Sequence, residues 1–279
     1  MIVGIDHIAL SAYGIDRAIE HLGKLGYQPR FIERNLSNAE AKRRFMREFH
    51  PTHSIAYCKP SNQSVALELV DHGVSSTGGC ASPYQAMFSG KSPGQMCVEA
   101  SETGSNAIRE VLVRFADGEI NKVFLTAFDT ACWWRRSVGP TEPESSSVDA
   151  LVLGVADLAR STKFWTGGLG FVVGRASPER DTPESKVMSF PSRISSWRLP
   201  IILVENKAVQ QPPPACLDDN GFPCIALIST DLNEDRKRLV QYGASTIGED
   251  FNLVVAGRAL RFCIVRGPDT ELLELIQFG

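Results

Sequence analysis

Two stretches decide the fold: Ile5–Gly26, IDHIALSAYGIDRAIEHLGKLG, and Pro223–Gly243, PCIALISTDLNEDRKRLVQYG. Each opens on an apolar run of β character and passes into a polar–apolar stretch of helical spacing. Each stops at a glycine, the residue that most easily takes the left-handed turn closing a helix. The two align without a gap: His7 to Gly26 and Cys224 to Gly243 are both 19 positions, and Ile8-Ala9-Leu10 matches Ile225-Ala226-Leu227. A third copy runs from Val148 to Gly170, and a looser fourth begins at Gln95. A repeat of this size has to be recognised before any other reading, because it sets the architecture.

Outward from these openings, each unit continues into short strands. Ser54–Lys59 and Ser64–Val70 follow the first helix, Val187–Phe190 and Leu199–Val204 the third, and Ala259–Val265 and Glu271–Gln277 the last, split by Gly-Pro-Asp. The order is strand, helix, then an antiparallel meander, a βαβββ unit with one helix on the back of a curved sheet. Such a unit is too small to bury its own sheet, so units must pair. The expected fold class is α+β, with four modules paired into two curved mixed-sheet half-barrels.

The breaks between units are compositional. Gly139–Ser147 (GPTEPESSS) offers almost nothing to bury, Gln210–Pro214 (QQPPP) excludes helix and central strand, and 73–94 is rich in Gly, Ser and Pro around a short Tyr84–Phe88 segment. These breaks divide the chain into a half at 1–138 with modules 1–72 and 95–138, a linker at 139–147, and a half at 148–279 with modules 148–209 and 221–279.

Composition bounds the function. With 43% hydrophobic and 22% charged residues and a net charge of −3, the chain is an ordinary globular one with no basic bias for a phosphate backbone, which argues against nucleic acid as a partner. No apolar run is long enough to span a membrane and the start does not read as a signal peptide. The seven dispersed cysteines, without a Cys-x-x-Cys pair, read as reduced thiols of a cytoplasmic protein. All five histidines, His7, His21, His50, His53 and His72, lie in the first module, so imidazole is available only there.

The repeated unit resembles the vicinal oxygen chelate superfamily, which includes glyoxalase I, methylmalonyl-CoA epimerase, extradiol dioxygenases and bleomycin-type resistance proteins. The residues that carry the resemblance are Asp6-His7-Ile8-Ala9-Leu10 at the start and Gly267–Leu275 (GPDTELLEL) at the end. The resemblance implies that paired modules close around a divalent metal, with ligands from the first and last strands of each. Strand alternation allows this, since every second side chain faces the concave side. Transferred to this chain, module one offers His7 and Glu68, and module four offers Cys224 and Glu274. Module three offers only Ala150 and Ile202, and module two Gln95 or Met96 followed by Cys132-Trp133-Trp134-Arg135-Arg136.

Two pairings are open. The extradiol arrangement would use Ala150, Cys224 and Glu274, with two ligands missing. Pairing of module one with four, as in fused glyoxalases, would gather His7, Glu68, Cys224 and Glu274 as a metal set for Zn, Fe, Mn, Ni or Mg, with Glu68 or Glu274 also moving a proton next to a carbonyl. The implied function is a metal-dependent lyase, isomerase or dioxygenase for a small oxygen-rich metabolite. The alternative is a metal-free binder of the resistance type. A plainer account of the same residues is a satisfied strand histidine, two solvent-facing glutamates and a small core cysteine.

Three further residues are candidates for holding substrate. Trp133 and Trp134 must point to opposite faces of a strand, so one, taken as Trp134, can line a cavity with Arg135 beside it. His53, next to His50 around Pro51, reads either as a proton shuttle over the cavity or as part of an exposed loop; His72 is an alternate ligand. The expected partner is a small molecule, and the assembly is a monomer or a homodimer.

Overall fold

The computed structural model describes residues 1–60, 64–73, 82–90, 97–99, 106–116, 119–136, 145–174, 184–192, 194, 198–206 and 214–279. Module one consists of β1 (Ile2–Ser11), α1 (Ile15–Lys24), β2 (Tyr27–Ser37), a 3-10 turn (Glu40–Phe45), β3 (Thr52–Pro60) and β4 (Ala66–Asp71). Module two consists of β5 (Tyr84–Gly90), β6 (Cys97–Glu99), α2 (Asn106–Ala116), β7 (Ile120–Leu125) and β8 (Thr130–Arg136). Module three consists of β9 (Ser147–Val155), α3 (Leu158–Lys163) running into a π turn (Phe164–Gly168), β10 (Val172–Val173), β11 (Ser185–Ser189) and β12 (Ile201–Glu205). Module four consists of β13 (Cys224–Ser229), α4 (Leu232–Gln241), β14 (Thr246–Ile247), β15 (Phe251–Val255), β16 (Arg258–Arg266) and β17 (Leu272–Phe278).

The helices start and stop for local reasons. Asp157 and Asp231 accept hydrogen bonds from the backbone N–H of Arg160 and Glu234, capping α3 and α4. Helix α1 has no side-chain cap of its own; Asp71 at the end of β4 accepts from the N–H groups of Gly14 and Ile15 instead. Gly26, Gly170 and Gly243 end their helices at φ of 94°, 82° and 102°, as the sequence pattern predicts.

Modules one and four form one mixed sheet in the order β14-β16-β17-β13-β1-β4-β3-β2, and modules two and three form the other in the order β10-β11-β12-β9-β5-β8-β7-β6. Each sheet therefore takes one module from either side of the Pro/Ser-rich segment, whose residues 139–144 lie outside the described part. At the centre of each sheet two first strands meet antiparallel, β1 with β13 and β5 with β9.

The second module departs from the sequence expectation. Its central strand is β5, inside the stretch read as a spacer, and the strand before its helix is β6 at the sheet edge. The Gln95 start lies outside the described residues; among those described, the strand Tyr84–Gly90 precedes it, and the element order of this module is ββαββ. Low apolar content around a seven-residue strand hid it.

The sheets stand back to back on one core. Ile8, Leu10, Leu67, Ile225 and Leu273 from the first sheet meet Phe88, Leu151, Ile201 and Trp134 from the second, with the apolar stripes of α1, α3 and α4 between them. Helix α2 alone packs elsewhere. Its Val111 and Leu112 lie with Trp133, Ala150 and Ile202 on the concave face of the second sheet.

Candidate metal centre

Alternation fixes which side chains reach the concave face of the first sheet. Ile8 and Leu10 point to the shared core, so His7 and Ala9 point the other way. Parallel pairing sets Glu68 beside Ala9, and on the other module sets Glu274 beside Ala226. Antiparallel pairing of β1 with β13 places His7 opposite Ala226. The ladder thus relates Glu68 to Glu274 and His7 to Cys224, as the sequence repeat implies.

The result is a tight group. His7 Nε2 lies 3.3 Å from Glu68 Oε2 and 3.9 Å from Glu274 Oε2. One ligand atom from each of the three lies within 4.8 Å of the others, the one such grouping among the described residues. On its other side, His7 Nδ1 lies 2.8 Å from Asp6 Oδ2. A carboxylate can only accept, so Nδ1 donates to Asp6, and Nε2, facing the two glutamates, carries a proton that a bound metal would replace. A register shift of the β1–β13 ladder between Ile5 and His7 accompanies this pairing of sequence neighbours.

The electrostatics are those of a cation-deficient site. Burial alone would lower the His7 pKa, yet Glu68 and the hydrogen-bonded Asp6 hold it well above the ordinary value. Burial, with Glu68 adding to it, raises Glu274, against the pull of Lys42 and His7. Burial, then Glu274, raises the Cys224 thiol well above its usual range, so it stays protonated. Cys224 lines the recess, but its Sγ makes only a 3.7 Å contact with the Ile225 carbonyl and it is not in the group of three.

Two spaces adjoin the centre. A small recess is lined by His53, His72, Cys224 and Lys42, and a cavity of about 500 Å³ opens outward past Tyr57 and Phe31. That volume is in the range of small-molecule sites. The segment after β2 roofs the recess. Phe45 is fully buried there, and Asp218 accepts from the backbone N–H of Arg47 and Glu48, while Arg47 pairs with Asp219.

His53 is on β3, 5% exposed, which corrects the exposed-loop reading. It faces His72 across the β3–β4 ladder, with ring centroids 5.7 Å apart. Burial, with Lys42 adding to it, pushes His53 down to about 3 and His72 down to about 4, so both are neutral. Trp134 and Arg135 are not at this site. Both are on β8 in the other sheet, Trp134 stacked on Phe88 in the core and Arg135 2.5 Å from Asp149. The two tryptophans do point to opposite faces, but the choice of Trp134 is corrected: it faces the shared core, and Trp133 is the one on the concave face of the second sheet, packed against Val111 and Leu112.

Three contributors had only faint sequence signals. Asp6 was visible as the Asp-His pair, without its role. Lys42 stood in a basic run and proves to line both spaces. Tyr57 packs edge-on to His7 at 5.8 Å and stacks on Phe31 at 5.3 Å, and had no signal beyond its β context.

Comparison with known proteins now bears on this geometry. Residues 147–275 match the model of the Glyoxalase/Bleomycin resistance protein/Dioxygenase superfamily. Residues 147–275, somewhat under half of the chain, are thus similar to that superfamily. Glyoxalase I from Zea mays has the same architecture over 98% of this chain and 92% of its own, with a TM-score of 0.59 at 14% identity. A Bacillus subtilis protein bearing the name "putative dioxygenase" aligns over 99% of this chain and 86% of its own, with a TM-score of 0.55 at 10% identity. Identities this low establish the shared fold and nothing finer. No curated protein matches the sequence significantly. Among the described residues no helix is long and apolar enough to cross a membrane.

Proposed function

We propose that the chain is a metal-dependent enzyme, of lyase or isomerase type, acting on a small oxygen-rich metabolite at the His7–Glu68–Glu274 centre. The observation that carries this is the convergence of one imidazole and two carboxylates, from three strands of two modules, on one buried point. The donor set fits a divalent ion of the Zn, Fe, Mn, Ni or Mg group. Three protein ligands leave positions open for substrate. The Asp6–His7 hydrogen bond supports the same reading, since a carboxylate behind a histidine fixes the tautomer that a metal needs. A bound divalent ion would polarise a substrate carbonyl and stabilise charge developing beside it.

The chain's own residues would supply the rest. Glu274 Oε2, or Glu68 Oε2, takes a proton from the carbon next to the carbonyl and returns it. Burial raises the proton affinity of Glu274 toward that task. Tyr57 and Phe31 form the apolar wall against which the substrate lies, and the roof over the recess excludes water. Lys42 sits where it can offset excess negative charge. We assign the protein to the cytoplasm, a placement supported by Cys58, Cys216, Cys224 and Cys263 standing as thiols outside any disulfide among the described residues.

A second reading is metal-free binding of a small molecule. It is supported by Cys224, a protonated thiol, at the position that mirrors His7. Metal analysis of the purified protein decides between the two. About one equivalent of transition metal, lost in His7→Ala while the unfolding midpoint holds, supports the enzyme. A metal-free protein whose ligand binding ignores His7→Ala supports the binder.

A further inference from the structure

The cavity outside the metal centre gathers its acidic lining at one end, where Lys42 is the one lysine or arginine beside it among the described residues, and its other cations elsewhere. Its acidic lining residues are Asp6, Glu68 and Glu274, all at the base around His7. Away from the base it is lined by Arg30, Lys59 and Arg258, and between these ends by apolar groups such as Phe31, Tyr57, Leu253 and Phe262. Arg30 is the extra residue of a β-bulge, since Pro29 pairs with Cys58 and Phe31 with Tyr57. A bulge re-aims a side chain that regular alternation would point elsewhere. Lys59 is next to it on β3, and its ammonium lies over the Tyr57 ring at 5.7 Å.

Arg258 comes from the facing module. It opens β16 directly after the Ala256–Gly257 turn, and the backbone N–H of Ala256 donates to Glu33 on β2 at 3.0 Å. That bond ties the tip of module four to the strand that bears Arg30, so the two guanidinium groups flank one mouth. Among the described residues neither Arg30 nor Arg258 has a carboxylate partner. Three cations lining one cavity away from its acids, two of them without a carboxylate partner among the described residues, form a setting that suits a bound anion.

We infer that the ligand of this cavity is an amphipathic organic anion, its oxygenated head at the His7 centre, its aryl or acyl body against Phe31 and Tyr57, and its anionic group at Arg30, Lys59 and Arg258. The inference rests on the reading of the His7 centre as the site of chemistry, and adds to it the charge and orientation of the substrate.

The test uses 2-naphthylacetate as the probe and its neutral amide as the isosteric control, with binding measured by calorimetry on the full chain. The carboxylate is expected to bind at least tenfold more tightly than the amide, and 0.5 M NaCl is expected to erode most of that margin. Arg30→Gln with Arg258→Gln is expected to bring the carboxylate down to the affinity of the amide, without altering metal content. Equal affinity for the two probes, or a preference that survives the double variant, overturns the inference. His7→Ala separates the two levels. If it loses metal and keeps the anion preference, the mouth acts as inferred. If the wild type holds metal but shows no anion preference, this inference fails and the metal reading stands.

Discussion

Where the sheet of modules one and four carries His7, Glu68, Cys224 and Glu274, the sheet of modules two and three carries Ala150, Ile202, Gln85 and Trp133. The equivalence follows from register. Ile202 pairs with Val152, two residues past Ala150, as Glu68 pairs with Ala9, two past His7. Met87 lies opposite Ala150 and beside Trp133, as Ala226 lies opposite His7 and beside Glu274. The indole of Trp133 fills the space and donates its N–H to Gln85 at 2.8 Å. Val111 and Leu112 of α2 close over it. Even the residue before the first-strand position differs in use: Asp6 holds His7, whereas Asp149 pairs with Arg135. One backbone thus builds a polar pocket on one side and a packed core on the other. The difference lies in a few side chains and in where one helix falls.

The comparison breaks most visibly at Trp133. In a filled concave face this residue is a core residue, so Trp133→Ala should cost about 3–5 kcal/mol of stability, the usual range for emptying a large aromatic site. Denaturant unfolding measures this. Metal content, which belongs to the other sheet, should not move. A variant that unfolds normally but loses metal would show that the two faces are not independent.

The next largest effect is at the two aspartates. Asp6→Asn keeps the shape but weakens the hold on the His7 tautomer, and should reduce metal affinity about 10–100-fold, as losses of a group behind a ligand do. Competition with a chromogenic chelator reads this directly. Asp149→Asn, at the matching position, should leave affinity unchanged and alter stability by less than ~1 kcal/mol, because its pair with Arg135 is partly exposed. An equal loss at both positions would mean that the effect comes from fold stability and not from the histidine.

How much of this was legible follows from the period of each signal. The Ile5–Gly26 and Pro223–Gly243 pair showed the repeat, and alternation then placed His7 and Glu68 on one face. The histidine skew placed any imidazole in module one. The order of strands between sheets is a long-range property, so nothing local marked whether module one meets two or four. Tyr84–Gly90 was hidden because a short central strand beside Gly, Ser and Pro has the composition of a spacer. Trp134 and Arg135 looked functional because a strand sequence shows that two neighbours diverge but not which face has a cavity. Lys42 and Arg30 depend on a 3-10 turn and a bulge, and neither has a periodic signature.

The last predicted effect lies where the two sheets meet. Asp269, in the turn before β17, accepts from the backbone of Ala156, from Arg160 and from Ser161 of module three. Behind it, Glu271 is fully buried; its Oε2 accepts from the Asp269 N–H, and Oε1 has no partner among the described residues. Burial, reinforced by Asp269, pushes Glu271 up to about 8. The folded chain therefore keeps this proton after the unfolded chain, with an ordinary carboxyl, has released it. The contribution to stability is fully present below about pH 4.5 and is lost as pH rises through about 8. Glu271→Gln presents the same acceptor without the titration. It should match the wild type near pH 5 and exceed it near pH 9 by roughly 1–2 kcal/mol, or about 3–6 °C in Tm. Thermal unfolding across that range gives the slope. A variant that runs parallel to the wild type at every pH would show that the junction holds an ordinary carboxylate, and that the seam between the filled sheet and the open one is not sensitive to protons.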